Sequence, residues 1–78
     1  MKVSVLFFGS LIDATEGERE IQLKDMPDID SVKNNLLKKF PKLENYTFRV
    51  ALNQKILDEN QVLSDDDVIA LLPPFAGG

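Results

Sequence analysis

The sequence predicts an α+β domain in which one helix covers one face of a mixed β-sheet. Three features predict it: alternating segments near the start, one amphipathic segment in the middle, and a continuous apolar segment near the end. A helix with one apolar stripe and a sheet with one apolar face cover each other. Seventy-eight residues without a repeat or low-complexity tract indicate a single domain.

The first two strands are predicted from the alternation of apolar and polar residues. They span residues 2–8 and 18–23. The predicted inward-facing side chains are Val3, Val5, Phe7, Ile21 and Leu23. The connection between the strands predicts an antiparallel pair.

The connection itself predicts a short helical turn. Ser10 and Asp13 have the spacing of a small capping box, in which the Ser side chain caps the first turn. Gly9 ends the strand before this turn, and Gly17 closes the loop after it.

The main helix is predicted to begin after Asp28, whose carboxylate can accept the unpaired N–H groups of a first turn. Pro41 ends it. At helical spacing, one apolar stripe is formed by Ile29, Val32, Leu36 and Phe40, with Leu37 beside it.

The second half predicts three more strands, at 47–53, 55–57 and 68–72. Asn53-Gln54 forms the tight turn between the first two, since Asn tolerates left-handed backbone. Residues 58–64 are predicted to be irregular, with Val62 and Leu63 packed under the domain. The apolar run 68–72 is typical of a central strand buried on both faces. If that strand lies beside the first, the fold is a ubiquitin-like β-grasp with four to five strands.

The chain is predicted to divide into a domain at residues 1–73 and a flexible, protruding tail at 74–78. Pro73 and Pro74 cannot donate to a sheet ladder, so the tail leaves the sheet there. The diglycine Gly77-Gly78 has no side chains and can thread a narrow channel. The Gly78 carboxylate is therefore the predicted reactive group.

Composition excludes several classes of site. The sequence has no Cys and no His, so it offers no disulfide, no nucleophile triad and no Cys/His metal cluster. Asp65-Asp66-Asp67 matches no calcium loop and is predicted to be a solvated turn. The net charge is −4 with scattered basic residues, which disfavours nucleic-acid binding and favours a basic protein partner. No apolar stretch approaches a membrane span and no signal peptide is evident, so we expect a cytoplasmic protein.

The chain resembles the MoaD/ThiS family of sulfur carriers. The resemblance is carried by Phe7-Phe8-Gly9, by Ala51-Leu52-Asn53 and by the stretch from Asp65 to Gly78. The ending Pro73-Pro74-Phe75-Ala76-Gly77-Gly78 is the specific part, and it resembles most the molybdopterin synthase type of carrier. The chain departs from the family at the turn before the last strand, where Asp66 stands in place of the common Gly. Asp tolerates left-handed backbone, so we expect the turn to survive.

The resemblance implies a chemistry for the tail. A MoeB-type activating enzyme uses ATP to adenylate the Gly78 carboxylate, and a sulfur donor protein converts the adenylate to a thiocarboxylate. The large, MoaE-like subunit of molybdopterin synthase then uses that sulfur on the pyranopterin precursor in molybdenum cofactor synthesis. The small chain binds no cofactor or metal itself and is a sulfur-donating subunit of the complex rather than a catalyst alone. A heterotetramer of two small and two large subunits is implied.

The partner-binding residues are predicted at the tail and at the end of the first strand. They are Pro73, Pro74, Phe75, Ala76, Gly77 and Phe7. The proline pair stiffens the tail and lowers the ordering cost of docking. We expect Phe75 to anchor in a partner pocket rather than to fold back onto the domain. We also expect an exposed patch for the large subunit, formed by some of Leu6, Phe7, Phe8 and Leu71.

Three other hypotheses stay open from the sequence. A plain β-grasp interaction domain is one of them, and for it Gly77-Gly78 would be dispensable. A carrier for thiamine thiazole or cysteine synthesis has identical chemistry at Gly78 and differs in its partner. A ubiquitin-like modifier shares the adenylate but continues to an isopeptide bond with a target lysine. No basic residue precedes the diglycine, which favours the carrier.

Overall fold

The computed structural model describes residues 1–74 as one five-stranded mixed sheet with one main helix. In chain order the elements are β1 (Lys2–Phe7), α1 (Leu11–Ala14), β2 (Glu20–Lys24), α2 (Ile29–Lys39), a 3-10 helix (Pro41–Asn45), β3 (Arg49–Leu52), β4 (Lys55–Leu57) and β5 (Val68–Leu72). The strand order is β2-β1-β5-β3-β4. β1 and β5 are parallel, and the other pairs are antiparallel. The predicted β-grasp, with its last strand in the middle beside the first, is confirmed.

The core lies between α2 and one face of the sheet. From the helix, the predicted stripe of Ile29, Val32, Leu36 and Phe40 is buried. From the sheet, the buried side chains include Val3, Val5, Phe7, Leu23, Val50, Leu52, Ile69 and Leu71. Leu11 and Leu43 close the core from α1 and the 3-10 helix. No helix among residues 1–74 is long and apolar enough to cross a membrane.

α2 begins at the predicted cap. The carboxylate of Asp28 accepts a 2.9 Å hydrogen bond from the Ser31 N–H and a 3.2 Å bond from the Asn60 amide. Asn60 in turn accepts from the Asp30 N–H at 2.9 Å. These bonds hold the pKa of Asp28 below its usual value, because they stabilise the charged form. The helix ends at Lys39, before Pro41 opens the 3-10 helix.

Two left-handed turns fit the sequence argument. Asn53 and Gln54 have φ of 49° and 72°, which is the geometry of a two-residue hairpin turn. Asp66 has φ of 67°, so it adopts the conformation for which glycine is usual. The expectation that Asp66 preserves this turn is confirmed.

The structure corrects two local predictions outside the sheet. Ser10 does not cap α1: its φ and ψ of −63° and −17° are already helical, whereas a capping side chain needs extended backbone. Val62 is not packed under the domain but is 76% exposed. Leu63 is buried, and its N–H donates to the Pro27 carbonyl. Consecutive side chains of extended chain point in opposite directions, so Val62 faces solvent.

The prediction that β5 is buried on both faces is wrong. Ile69 and Leu71 are fully buried against the helix side, whereas Ala70 and Leu72 are half-buried and Val68 is 39% exposed. The reason is that α2 covers one face of the sheet, and no second layer covers the other among residues 1–74. Three strands are also shorter than predicted: β1 ends at Phe7, β2 spans Glu20–Lys24 and β3 spans Arg49–Leu52.

Candidate functional site at the root of the tail

The central strand, β5, ends at the edge of the sheet where the tail begins. β5 is held by β1 on one side and by β3 on the other, and it ends at Leu72. Pro73 is half-buried and Pro74 is exposed. The predicted site residues Phe75, Ala76, Gly77 and Gly78 lie outside the described residues. The tail therefore starts from a strand that is paired on both sides.

Pro73 contacts the end of β1. A Cβ atom built on Gly9 would lie 2.8 Å from Cγ of Pro73, and Gly9 has φ of 59°. The Phe8 N–H donates a 3.3 Å hydrogen bond to the Leu71 carbonyl. The end of the motif 7–9 and the first residue after β5 thus form one unit, the tail root (Phe8, Gly9, Leu72 and Pro73). The sequence contained both halves of this unit, but not the contact between them.

The uncovered face of the sheet leads to the tail root. Strand register places Leu6, Ala70, Ala51 and Ile56 in one row across four strands. The next row, toward the tail, begins with Leu72, which pairs with Arg49. Phe8, just beyond β1 on the same face, is 43% exposed. We call this surface, from Leu6 and Phe8 to Ile56, the uncovered sheet face. Its central part is apolar, where a sheet facing water is normally polar, and the charged residues Glu20 and Arg49 continue the two rows.

Phe7 does not belong to that surface. Its side chain is 2% exposed and packs edge-to-face on Phe40, with ring centroids 5.9 Å apart. The prediction that Phe7 contacts a partner directly is wrong, because the alternation along β1 turns Phe7 toward α2 and leaves Phe8 outside. Of the predicted patch, Leu71 is likewise in the core, and Leu6 is half-buried.

An ion pair lies at the edge of the uncovered sheet face. Arg49 pairs with Asp58 at 3.7 Å, and both side chains are largely solvated, so the pair contributes little to stability. Within residues 1–74, no group of three or more acidic side chains is arranged to hold a metal ion.

The aspartates of residues 65–67 have structural bonds. Asp67 accepts from the Ser64 N–H at 2.7 Å and from the Asn53 amide at 2.9 Å. Asp65 accepts from the Lys2 N–H at 2.8 Å. These bonds join the start of β5 to the β3–β4 turn and to β1, so two of the three carboxylates are engaged within the domain.

Thr15 was missed by the sequence argument. It is fully buried, and its hydroxyl lies 2.8 Å from the Glu18 carbonyl oxygen and 3.1 Å from those of Leu11 and Ile12. The hydroxyl holds the connection between α1 and β2 closed. Neither hydrophobic period nor a capping pattern marks such a residue, because its role depends on carbonyls that converge only in the folded loop.

A family model described as the ThiS family matches residues 5–78. The chain belongs to the ThiS family. It is 34% identical to a molybdopterin synthase sulfur carrier subunit of Mycobacterium tuberculosis, over 100% of this chain and 99% of that protein. The family resemblance seen in the sequence is confirmed.

Solved structures agree with this assignment. The chain matches one from a complex of subunits 1 and 2 of the molybdopterin-converting factor of Helicobacter pylori, at 33% identity, full coverage of both chains and a TM-score of 0.79. Small archaeal modifier protein 1 of Haloferax volcanii matches at a TM-score of 0.82 over both full chains but at 20% identity, which shows the shared ThiS-family fold alone.

Proposed function

We propose that this chain is the sulfur-carrier small subunit of molybdopterin synthase. The observation that carries the proposal is the full-length, 34% identity to a protein of that name, together with a family match that extends through Gly78. The fold supports it, since the central strand ends immediately before Pro73-Pro74, and two prolines cannot continue its hydrogen-bond ladder.

In this proposal the Gly78 carboxylate is the reacting group. It attacks the α-phosphate of ATP on a MoeB-type activating enzyme, and pyrophosphate leaves. Sulfur at the sulfide level, supplied through a donor protein, then attacks the acyl carbon, the bond from that carbon to the AMP oxygen breaks, and AMP leaves, which makes the thiocarboxylate. Its sulfur is transferred to the pyranopterin precursor in the large subunit, and hydrolysis of the acyl group restores the carboxylate. ATP is a substrate of the activating enzyme and is not bound by this chain alone.

The large subunit is proposed to bind the uncovered sheet face and the tail together. Phe8 and Leu72 belong both to the tail root and to the uncovered sheet face, so a partner that receives the tail meets this surface. Burial of an exposed aromatic side chain at an interface commonly makes an energetic hot spot. The H. pylori match comes from a protein–protein complex of the two converting-factor subunits, which supports a partner of this kind. A heterotetramer and a cytoplasmic location remain part of the proposal.

The test of the chemistry is intact mass after incubation with ATP, a MoeB-type enzyme and sulfide. We expect a gain equal to the exchange of one oxygen for one sulfur. A variant without Gly77-Gly78 is the control, and it should fold normally and show no gain. An unchanged mass with an activating enzyme proven on its own carrier would refute the proposal.

The test of the surface is binding to the large subunit by titration calorimetry. We expect Phe8→Asp to weaken binding at least about tenfold, since hot-spot losses exceed that value. Val62→Asp is the matched control, because Val62 is more exposed than Phe8 but lies far from the tail. Val62 forms a bridge with Asp28, which follows the Lys24 end of β2, and that end of the sheet is opposite to the tail. Equal binding by the two variants would exclude this surface.

A ubiquitin-like modifier is the second candidate. The chain matches small archaeal modifier protein 1 of Methanosarcina acetivorans at 25% identity with a TM-score of 0.82. Activation at Gly78 is common to both candidates, so the next product separates them. A modifier forms lysine-linked adducts that survive thiol reagents, whereas a carrier yields the thiocarboxylate.

A further inference from the structure

Gly9 and Pro73 share a space that only one side chain can fill. The Cβ position of Gly9 lies 2.8 Å from Cγ and 3.7 Å from Cδ of Pro73. Carbon atoms in contact are normally about 3.5–4.0 Å apart, so the shorter distance is a clash. The ring of Pro73 therefore occupies the place where a side chain of residue 9 would begin.

Backbone conformation alone does not account for this glycine. Gly17 also has a positive φ, of 87°, yet nothing lies within 4 Å of its Cβ position. Both positions disfavour ordinary side chains, but a substitution at Gly9 also displaces Pro73. Substitution of Gly9 therefore combines backbone strain with a clash against Pro73, whereas substitution of Gly17 causes backbone strain alone.

Both sides of the contact are anchored, so a displacement is transmitted to the tail. The Gly9 carbonyl accepts a 3.1 Å hydrogen bond from the Ile12 N–H of α1, and the neighbouring Phe8 N–H is bonded to β5. Pro73 is joined directly to the last residue of β5, and its Cγ belongs to a closed ring that can change pucker but cannot swing to a distant rotamer. The part of the clash that a change of pucker does not relieve moves the backbone after Leu72.

We propose that Gly9 is a positioning residue for the C-terminal tail, which it directs by leaving room for the Pro73 ring. The inference rests on the proposed function, in which the tail must reach an active site while the domain is docked on the same partner. A misplacement of about 1 Å can lower a rate about 100-fold, so the exit direction affects the chemical step more than docking.

The kinetic test uses Gly9→Asn, because Asn tolerates left-handed backbone and adds the clashing Cβ. Adenylation by the activating enzyme is measured as ATP–pyrophosphate exchange at varied carrier concentration. We expect kcat to fall at least about tenfold while KM changes less than about threefold. Gly17→Asn is the matched control and should keep the wild-type kcat. Because the chain is the substrate, loss of folded protein would raise the apparent KM and leave kcat unchanged.

Removal of the ring provides the rescue. In a Pro73→Ala background, which lacks Cγ and Cδ, Gly9→Asn should lower kcat by less than about threefold, because the clash has been removed. An equal loss in both backgrounds, or equal kcat for Gly9→Asn and Gly17→Asn, would overturn the proposal. A wild-type chain that is not activated at all would count against the proposed function instead.

A structural measurement tests the contact independently of any activity. In the wild-type chain we expect nuclear Overhauser effects between the Hα protons of Gly9 and the ring protons of Pro73. They should persist in Gly17→Asn. Their absence from the wild-type spectrum would overturn the proposal whether or not the chain carries sulfur.

Discussion

Phe7 and Phe8 are adjacent in sequence, but one is buried and the other is exposed. We expect Phe7→Ala to lower the free energy of unfolding and Phe8→Ala to weaken binding to the large subunit. Phe7 is 2% exposed and packs on the Phe40 ring, whereas Phe8 is 43% exposed on the uncovered sheet face. Truncation of a buried Phe typically costs about 3–5 kcal/mol, and a well-placed aromatic pair adds about 0.5–1.5 kcal/mol to what area alone gives. Truncation of a half-exposed side chain should cost less than about 1 kcal/mol.

The size of the domain makes this difference decisive. At roughly 0.05–0.15 kcal/mol per residue, 78 residues give a free energy of unfolding of about 4–12 kcal/mol. Phe7→Ala would therefore remove about a quarter or more of the total and leave a less stable domain. Phe8→Ala would leave most of it, while weakening the proposed binding to the large subunit.

The assay is urea unfolding followed by far-ultraviolet circular dichroism, with binding measured on the same preparations. Phe7→Leu keeps part of the buried volume and should fall between wild type and Phe7→Ala, which allows a measurement if the Ala variant does not fold. Similar destabilisation by the two Ala variants, or a greater effect at Phe8, would refute the assignment of Phe7 to the core and of Phe8 to the surface.

Three further predictions concern the polar and left-handed positions. Asp28→Asn should remove the pH-dependent part of the stability that the helix cap provides. The lowered pKa of Asp28 stabilises the fold above the usual value of 3.8, and this contribution disappears as pH falls through the lower folded-state pKa. The difference in free energy of unfolding between wild type and variant should therefore narrow on acidification, and a constant difference would contradict the prediction. Thr15→Val should lower the free energy of unfolding by about 1–3 kcal/mol in urea melts, since a buried hydroxyl bonded to carbonyl oxygens is lost. Thr47→Val, at an exposed position, is the control and should change the free energy of unfolding little. In thermal melts, Asp66→Gly should raise the free energy of unfolding by up to about 1 kcal/mol, because it removes the strain of a left-handed non-glycine residue. Asp65→Gly should lower the free energy of unfolding, because it removes the acceptor of the Lys2 N–H. The reverse order would show that the φ of Asp66 is not strained.

The elements with strong local signals were predictable. The α2 stripe at 3.6-residue spacing, the Asp28 cap and Pro41 are properties of neighbouring residues, and each appears where the sequence placed it. The Asn53-Gln54 turn and the left-handed Asp66 follow equally from local backbone preferences. The errors at Ser10 and Val62 were also local. A capping pattern does not reveal that the cap backbone is already helical, and two adjacent apolar residues cannot both face the core from extended chain.

The candidate site also has features that the sequence predicts and features that depend on the tertiary structure. The absence of Cys and His and the pair Gly77-Gly78 are visible in the sequence alone, and they led to the proposal of Gly78 as the reactive group, which stays a prediction. The sequence by itself determined the fold class, since hydrophobic periodicity is a short-range property. Only the tertiary structure decided which of Phe7 and Phe8 is outside, and that Gly9 touches Pro73. Those facts depend on which sheet face α2 covers and on the parallel pairing of β1 with β5, contacts between residues more than 60 positions apart in the chain.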